Sequence, residues 1–436
     1  MRLKLTKGVE LRLEGNIPPG VSPIDKPVNL LGICPEDFPG FKPKVLVKEG
    51  DSVDVGQPLM ADKQNPDIVL TSPAAGIIRE VLRGERRKVE HITVELDKPE
   101  CSTLITPPGD NFKARLMASG LWAMMRQLPY DIIPSPEVTP RDIFISLFDT
   151  APLAVDAVLD VALLTAGVKA LKTLTSGKVW VGMRPGQSAT IEGAENVEIE
   201  GKYPASLPEI LAANTAPVNK GETVWLLDGR TLEKIGQLAR DNQFRTTVQV
   251  AVTGPEIHNP FIASTLPGAQ LSQLLDDNLK YETHHLRIIS GNVFSGTHES
   301  VKGFLRWPYR QVTVILDGDD IDEFMGWASI SPRKMSVSRT FPDILLHRKH
   351  RPDARLNGGK RAMIMSGVYD RAMPADIMPE YLIKAILSND IDKMEALGIY
   401  EVTPSMFGPA EFMDPSKLQL QQIVRQGLDN LKKELS

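Results

Sequence analysis

Lys63 offers the clearest covalent chemistry in this chain. It follows Asp62 and stands between two apolar-alternating runs, Val45 to Leu59 and Ile68 to Ile78. A lysine amine at the tip of a tight hairpin can hold a cofactor in amide linkage and swing it between distant sites. Here Gln64-Asn65-Pro66-Asp67 follows the lysine. Pro66 fixes its own φ and pushes Asn65 towards extended geometry, so the turn is expected beyond Lys63. Two readings stand: a cofactor carried on Lys63, or a permanent structural module with Lys63 on its surface.

Other reactive groups are sparse. Gly177-Lys178 and Gly359-Lys360 lack the upstream glycine and the following Ser or Thr of a phosphate-gripping loop. No G-x-G-x-x-G opens a helix, Ser295-Gly296 lacks the first glycine of a nucleophile elbow, and no H-E-x-x-H occurs. His284 and His285 are adjacent and point to different faces. His347 and His350 could share a helical face, but Arg348, Lys349 and Arg351 around them repel a cation, so no metal site is expected. Cys34 and Cys101 are the only cysteines. Two thiols exclude a disulfide framework, a cysteine-ligated zinc and an iron–sulfur cluster held within the chain, which needs about four. Free thiols suit a reducing compartment.

The elements that would position these groups follow from periodicity. Val45 and Val47, then Val53 and Val55, alternate around Glu49-Gly50-Asp51 turn chemistry; Gly56 turns again before Leu59, and Pro73 and Gly76 precede Ile77-Ile78. That is the pattern of a lipoyl- or biotin-carrier barrel. After the Thr106-Pro-Pro-Gly-Asp110 linker the texture changes. Ile143–Phe148, Val179–Met183, Val197–Ile199, Thr223–Leu227 and Thr247–Val252 read as strands. Helical spacing falls between them over Val155–Leu174, Leu207–Ala213 and Leu232–Leu238. This alternation predicts a parallel, Rossmann-like sheet. Beyond Gly254-Pro255 a small α+β segment is expected, with strands at Val293-Phe294 and Val312–Leu316 and a helix bearing Leu271, Leu274 and Leu275. Helices follow over Ala375–Leu387 and Ile391–Leu397, capped by Asp390 and Gly398, and from Asp414-Pro415 through Leu431.

With 436 residues, 42% hydrophobic and 24% charged, the chain reads as a globular protein of about three domains. A net charge of −5 argues against general nucleic-acid binding. The N terminus alternates Leu3 and Leu5 with basic residues, a strand and not a signal peptide. The longest apolar run, Ala151–Leu171, carries Asp156, Asp160 and Lys169, which oppose membrane insertion. The chain is expected to be soluble, reaching a membrane by docking.

Over nearly its full length the chain resembles the family of A-subunits of bacterial sodium-translocating NADH:quinone oxidoreductases. The resemblance rests on Lys48-Glu-Gly-Asp51, Asp62-Lys63-x-x-Pro66, Ser72-Pro-Ala-Ala-Gly76, Arg83-Gly-Glu-Arg-Arg87 and Ala118-Ser-Gly-Leu-Trp122. Gly254 to Pro260, Ser290-Gly-Asn-Val-Phe-Ser-Gly296 and the helices from Pro374 to Leu397 complete it. The family is related to the cluster-binding subunit of Rnf complexes and the flavoprotein subunit of respiratory complex I. It implies a barrel-sandwich (lipoyl-like) domain over 1–105, a Rossmann-like domain over 106–255, an SLBB-like β-grasp domain over 256–330, and a basic loop with a helical C-terminal domain over 331–436.

Departures from the relatives shape the functional expectation. Flavin-binding relatives have a glycine-rich loop near Gly120; here Trp122, Met124 and Met125 take up that volume. Their cluster cysteines are missing, and Ser295-Gly-Thr297 falls short of the motif by which sister subunits attach flavin covalently. The chain is therefore expected to carry no redox centre, with flavins, iron and NADH on partner subunits. The resemblance implies a peripheral subunit on the cytoplasmic face of the bacterial inner membrane, docked on a membrane subunit, close to where ubiquinone is reduced. A quinone needs an apolar slot with hydrogen-bond donors for its carbonyls. The candidates are Trp122 and Arg126, and Phe294 and His298. A lipoyl or biotin carrier modified at Lys63 and a pure assembly scaffold are the alternatives. Finally, Arg333, Lys334, Arg339, Arg348, Lys349, Arg351, Arg355, Lys360 and Arg361 form a basic stretch. It fits docking to an anionic membrane face or acidic partner, or a solvated loop.

Overall fold

The structure is a computed structural model that describes residues 1–187, 190–319, 335 and 348–435. Arg333, Lys334, Arg339 and His347 lie outside the described residues.

The Val45–Val81 pattern folds as two small antiparallel sheets. Val28–Ile33, Val89–Glu100, Gly76–Arg83 and Ser52–Val53 form one; Pro43–Val45, Pro58–Asp62 and Val69–Thr71 form the other. Val53, Leu59, Ile78, Ile92 and Val94 are buried between them, the inward half of the period-two alternation.

The alternating region builds a six-stranded sheet in the order Arg2–Lys4, Glu195–Glu200, Val179–Met183, Ile143–Ser146, Val224–Asp228, Arg126–Leu128. All neighbours are parallel except the last pair. The helices Val161–Leu171 and Gly229–Asp241 pack tightly on each other. A Cβ on Gly236 would fall 1.9 Å from the Leu163 carbonyl oxygen, and one on Gly167 would fall 2.6 Å from that of Leu232. The first helix begins later than Val155 because Asp160 caps it, accepting from the amides of Ala162 (2.8 Å) and Leu163 (3.3 Å).

A second six-stranded sheet runs Ile24–Asp25, Phe261–Thr265, Val248–Thr253, Gln311–Leu316, Leu286–Ser290, Thr297–Glu299. Val248–Thr253 is thus a strand where expected but not in the parallel sheet: it pairs with Phe261–Thr265 and Gln311–Leu316. The N-terminal segment is shared in the same way. Arg2–Lys4 adds to the parallel sheet and Ile24–Asp25 to the second sheet, so the first 25 residues stitch these two sheets together. Val293-Phe294 is a turn, not a strand. The Asn292 carboxamide oxygen accepts from the amides of Phe294 (2.8 Å) and Ser295 (3.2 Å) and bends the chain.

Beyond Gly367 the described chain carries the helices Val368–Ala372, Pro379–Leu387, Ile391–Ala396, Gly408–Met413 and Leu420–Leu435. Pro379 at the first helical position sets the second start, later than Ala375. Asp390 caps Ile391–Ala396 through the Lys393 amide, and Gly398 follows at φ +94°. The last helix does not begin at Asp414: that carboxylate accepts from the Leu418 amide (2.8 Å) and holds a separate turn. No helix among the described residues is long and apolar enough to cross a membrane.

Candidate functional site

A cleft opens where the barrel-sandwich module, the parallel sheet and the second sheet meet, with about 90 Å³ of free volume. Pockets for drug-sized ligands begin at roughly 300 Å³, so the cleft suits one ring or head group. Close backbone approach makes the junction possible. The Gly32 amide donates to the Gly268 carbonyl at 2.8 Å, and a Cβ on Gly32 would fall 2.3 Å from the Phe304 ring.

One wall is aromatic: Phe38 and Trp307 stack with centroids 5.0 Å apart and planes at 15°. Asp37 fixes that wall. Its carboxylate accepts from the Arg306 guanidinium (2.6 Å) and the Trp307 amide (3.0 Å), and Arg306 reaches Glu299 (2.7 Å). Cys34 stands beside this network, and burial pushes its thiol up to about 12. A thiol held neutral in this way is a small apolar surface, not a nucleophile.

Two further cations, Lys234 and Arg310, line the cleft. Lys234, on the helix Gly229–Asp241, is 7% exposed. Among the described residues its ammonium makes one hydrogen bond, to the Thr246 carbonyl at 2.9 Å. Burial, reinforced by the nearby Arg310 charge, pulls it from its usual 10.5 down to about 7. Arg310 is also held low, chiefly by burial, and its Nε–H is buried with no acceptor among the described residues. The Trp307 indole N–H is in the same position. Three residues whose donors lack full partners among the described residues therefore line a mostly apolar cleft, two of those donors lying just beneath its surface. Buried donors and charges are expensive unless matched, so the arrangement favours a planar group carrying acceptor oxygens.

Of the four residues put forward from sequence, none lines this cleft. Trp122 is fully buried in the core, donates to the Pro134 carbonyl (2.9 Å) and meets Trp225 edge-on at 5.1 Å. Its neighbours Ser119, Gly120 and Met124 do reach the cleft. Arg126 is tied to Asp131 (2.8 Å) and to the fully buried Glu209 (3.5 Å). Phe294 stacks on Tyr203 at 5.2 Å, under the C-terminal helices. His298 is exposed on the edge strand Thr297–Glu299.

Lys234 was legible in principle: with Thr231 and Leu238 it occupies one buried helical stripe, where a lysine is out of place. Cys34, Asp37, Trp307 and Arg310 gave no spacing signal, because they converge only through chain reversals.

Lys63 is exposed in the loop between Pro58–Asp62 and Val69–Thr71. Asp62 organises that loop, accepting from the amides of Lys42 (2.8 Å) and Asn65 (3.0 Å). No group of three or more metal-ligating side chains is found among the described residues.

Family models match in chain order: the NqrA N-terminal barrel-sandwich hybrid domain over residues 3–97, the NqrA second alpha/beta domain over 108–244, and the NQRA C-terminal domain over 249–300. Among curated relatives is the A-subunit of the Na(+)-translocating NADH-quinone reductase of Serratia proteamaculans (strain 568), 33% identical over 99% of this chain and 100% of the relative. The proteins of the same name from Klebsiella pneumoniae (strain 342), at 33%, and Neisseria meningitidis serogroup C, at 31%, match with the same coverage. With identity sustained from end to end and the modules in the same order, this chain belongs to the NqrA family of Na(+)-translocating NADH-quinone reductase subunits.

Proposed function

We propose that this chain works as a peripheral subunit of a sodium-pumping NADH-quinone reductase, without a redox centre of its own, and that the three-module cleft receives a quinone head group. Flavins, iron and NADH belong to partner subunits on this reading. The chain docks at the cytoplasmic face, on a membrane subunit, and does not catalyse alone. Its parallel sheet is the counterpart of a Rossmann-like nucleotide domain, and its last helices, which share a core with Tyr203, Ile210 and Phe294, serve docking. Trp122, sealed in the core beside Gly120, supports the absence of flavin: it fills space next to the loop where the flavin-binding relatives are open.

The carrying observation for the quinone is the pair of buried cations, Lys234 and Arg310, lining one mostly apolar cleft with the Phe38–Trp307 stack. Lys234 Nζ, Arg310 Nε and Trp307 Nε1 supply donors for carbonyl oxygens, and the rings supply a stacking face. A hydrogen bond from a charged donor is worth about 1.5–3 kcal/mol. Calorimetric titration with a short-chain quinone should therefore show affinity falling roughly tenfold or more in Lys234→Met. Equal binding by wild type and the Lys234→Met/Arg310→Met double variant would remove the quinone from this cleft. No quinone binding at all, with membrane partners still co-purifying, would leave a scaffold subunit. Loss of co-purification itself would overturn the docked-subunit reading.

A further inference from the structure

The basic stretch is partly consumed inside the protein. Arg351 makes a bidentate pair with the fully buried Glu256 (2.6 Å to each oxygen), Arg355 pairs with Asp353 (2.7 Å), and Lys349 bonds Asn16. Residues 356–369 differ. They contain Lys360 and Arg361 and not one acidic residue, in a chain of net charge −5. Leu356, Ile364 and Met365 are 56%, 45% and 37% exposed.

This strap is pinned, so its exposure is built in. The Arg361 amide donates to the Ser416 carbonyl (3.1 Å), and the Ile364 amide to the Ser416 hydroxyl (3.1 Å), which itself donates to the Ala362 carbonyl (3.0 Å). The Ser366 and Val368 amides both donate to Glu380 (3.2 and 3.1 Å). Met363 packs against the helical core while Ile364 and Met365 stand outside it. Glu380 opens the helix Pro379–Leu387, whose Tyr381 is 58% exposed and whose Lys384 is exposed as well. The strap thus ends against the first turn of a helix that also exposes a tyrosine and a lysine.

We infer that the strap 356–367 and the adjoining face of Pro379–Leu387 form a lipid-contact surface, inserting Leu356, Ile364 and Met365 at the headgroup boundary of a bilayer while Lys360, Arg361 and Lys384 meet anionic phospholipid headgroups. Short apolar side chains interleaved with lysine and arginine, with an amphipathic tyrosine beside them, match the chemistry of an anionic interface. The lack of acidic residues through the strap supplies the charge complementarity. The inference rests on the membrane-docked reading above and specifies which surface touches lipid.

The test uses the full chain and vesicles of phosphatidylcholine with or without phosphatidylglycerol. Wild type should sediment with the anionic vesicles, less so at high salt, and not with neutral ones. Each cation near the surface is worth about fivefold in partitioning, so Lys360→Gln/Arg361→Gln should lose roughly 25-fold, and Ile364→Ser/Met365→Ser should also release the protein. All four changes lie on exposed or surface side chains, and detergent co-purification with membrane partners should persist in both variants. Wild type that ignores anionic vesicles, or variants that bind them equally, would overturn the lipid contact. Variants that lose the membrane partners in detergent would make the strap a protein interface instead. Wild type without membrane partners would sink the docked-subunit reading, a separate result.

Discussion

Replacing Lys234 with methionine should stabilise the protein more at pH 7 than at pH 9. The folded-state value of Lys234 is about 7, below its usual 10.5, because burial disfavours the ammonium. The unfolded chain therefore binds more protons between those limits, and stability attributable to this residue rises as pH climbs from about 7 towards 10.5. Below pH 7 both states hold the proton and the full cost is present. Linkage across this window gives about 2 kcal/mol of stability regained between pH 7 and pH 9, out of a total near 5 kcal/mol. Methionine has similar length and no charge, so the variant lacks this slope. Urea unfolding of both proteins at the two pH values isolates it, since other titrating groups and the Thr246 contact are common to each difference. A gap between variant and wild type that is the same at pH 7 and pH 9 would mean that Lys234 is solvated, and the donor-lined cleft would lose its strongest feature.

Three further outcomes follow from the packing. Maleimide at pH 7.5 should label Cys101 and spare Cys34, whose thiol is buried and held up to about 12; mass spectrometry of tryptic peptides reads the ratio, and equal labelling would show that the cleft wall opens. Gly236→Ala should destabilise by about 1–3 kcal/mol in urea unfolding, because its Cβ would meet the Leu163 carbonyl at 1.9 Å, and an unchanged midpoint would contradict the helix crossing. Lys63→Arg should leave the unfolding midpoint and partner co-purification unchanged, and wild type should show the unmodified intact mass; a mass increment that the variant lacks would restore the carrier reading.

Much of the architecture was legible because it follows from local period. The Val45–Val81 alternation and the strand–helix alternation from Ile143 both produced the expected elements, since alternation dictates which side chains face inward. Boundaries failed where a side chain outweighed periodicity. Asp160 shortened one helix, Asp414 delayed another, and Asn292 turned a β-prone Val-Phe pair into a bend. Candidate ligand residues chosen by type alone settled elsewhere: Trp122 into the core, Arg126 into ion pairs, Phe294 beneath helices.

The sequence by itself determined the family and the succession of a barrel-sandwich, an α/β and an SLBB module, because hydrophobic period and turn chemistry act over short range and survive at a third identity. Only the tertiary structure decided which sheet receives each strand, as with Arg2–Lys4 and Val248–Thr253. It alone brought Cys34 and Asp37 from one module against Lys234 from a second and Arg310 from a third. A strand carries its periodicity in its own residues but not the identity of its partner, and a cleft between modules has no local signature.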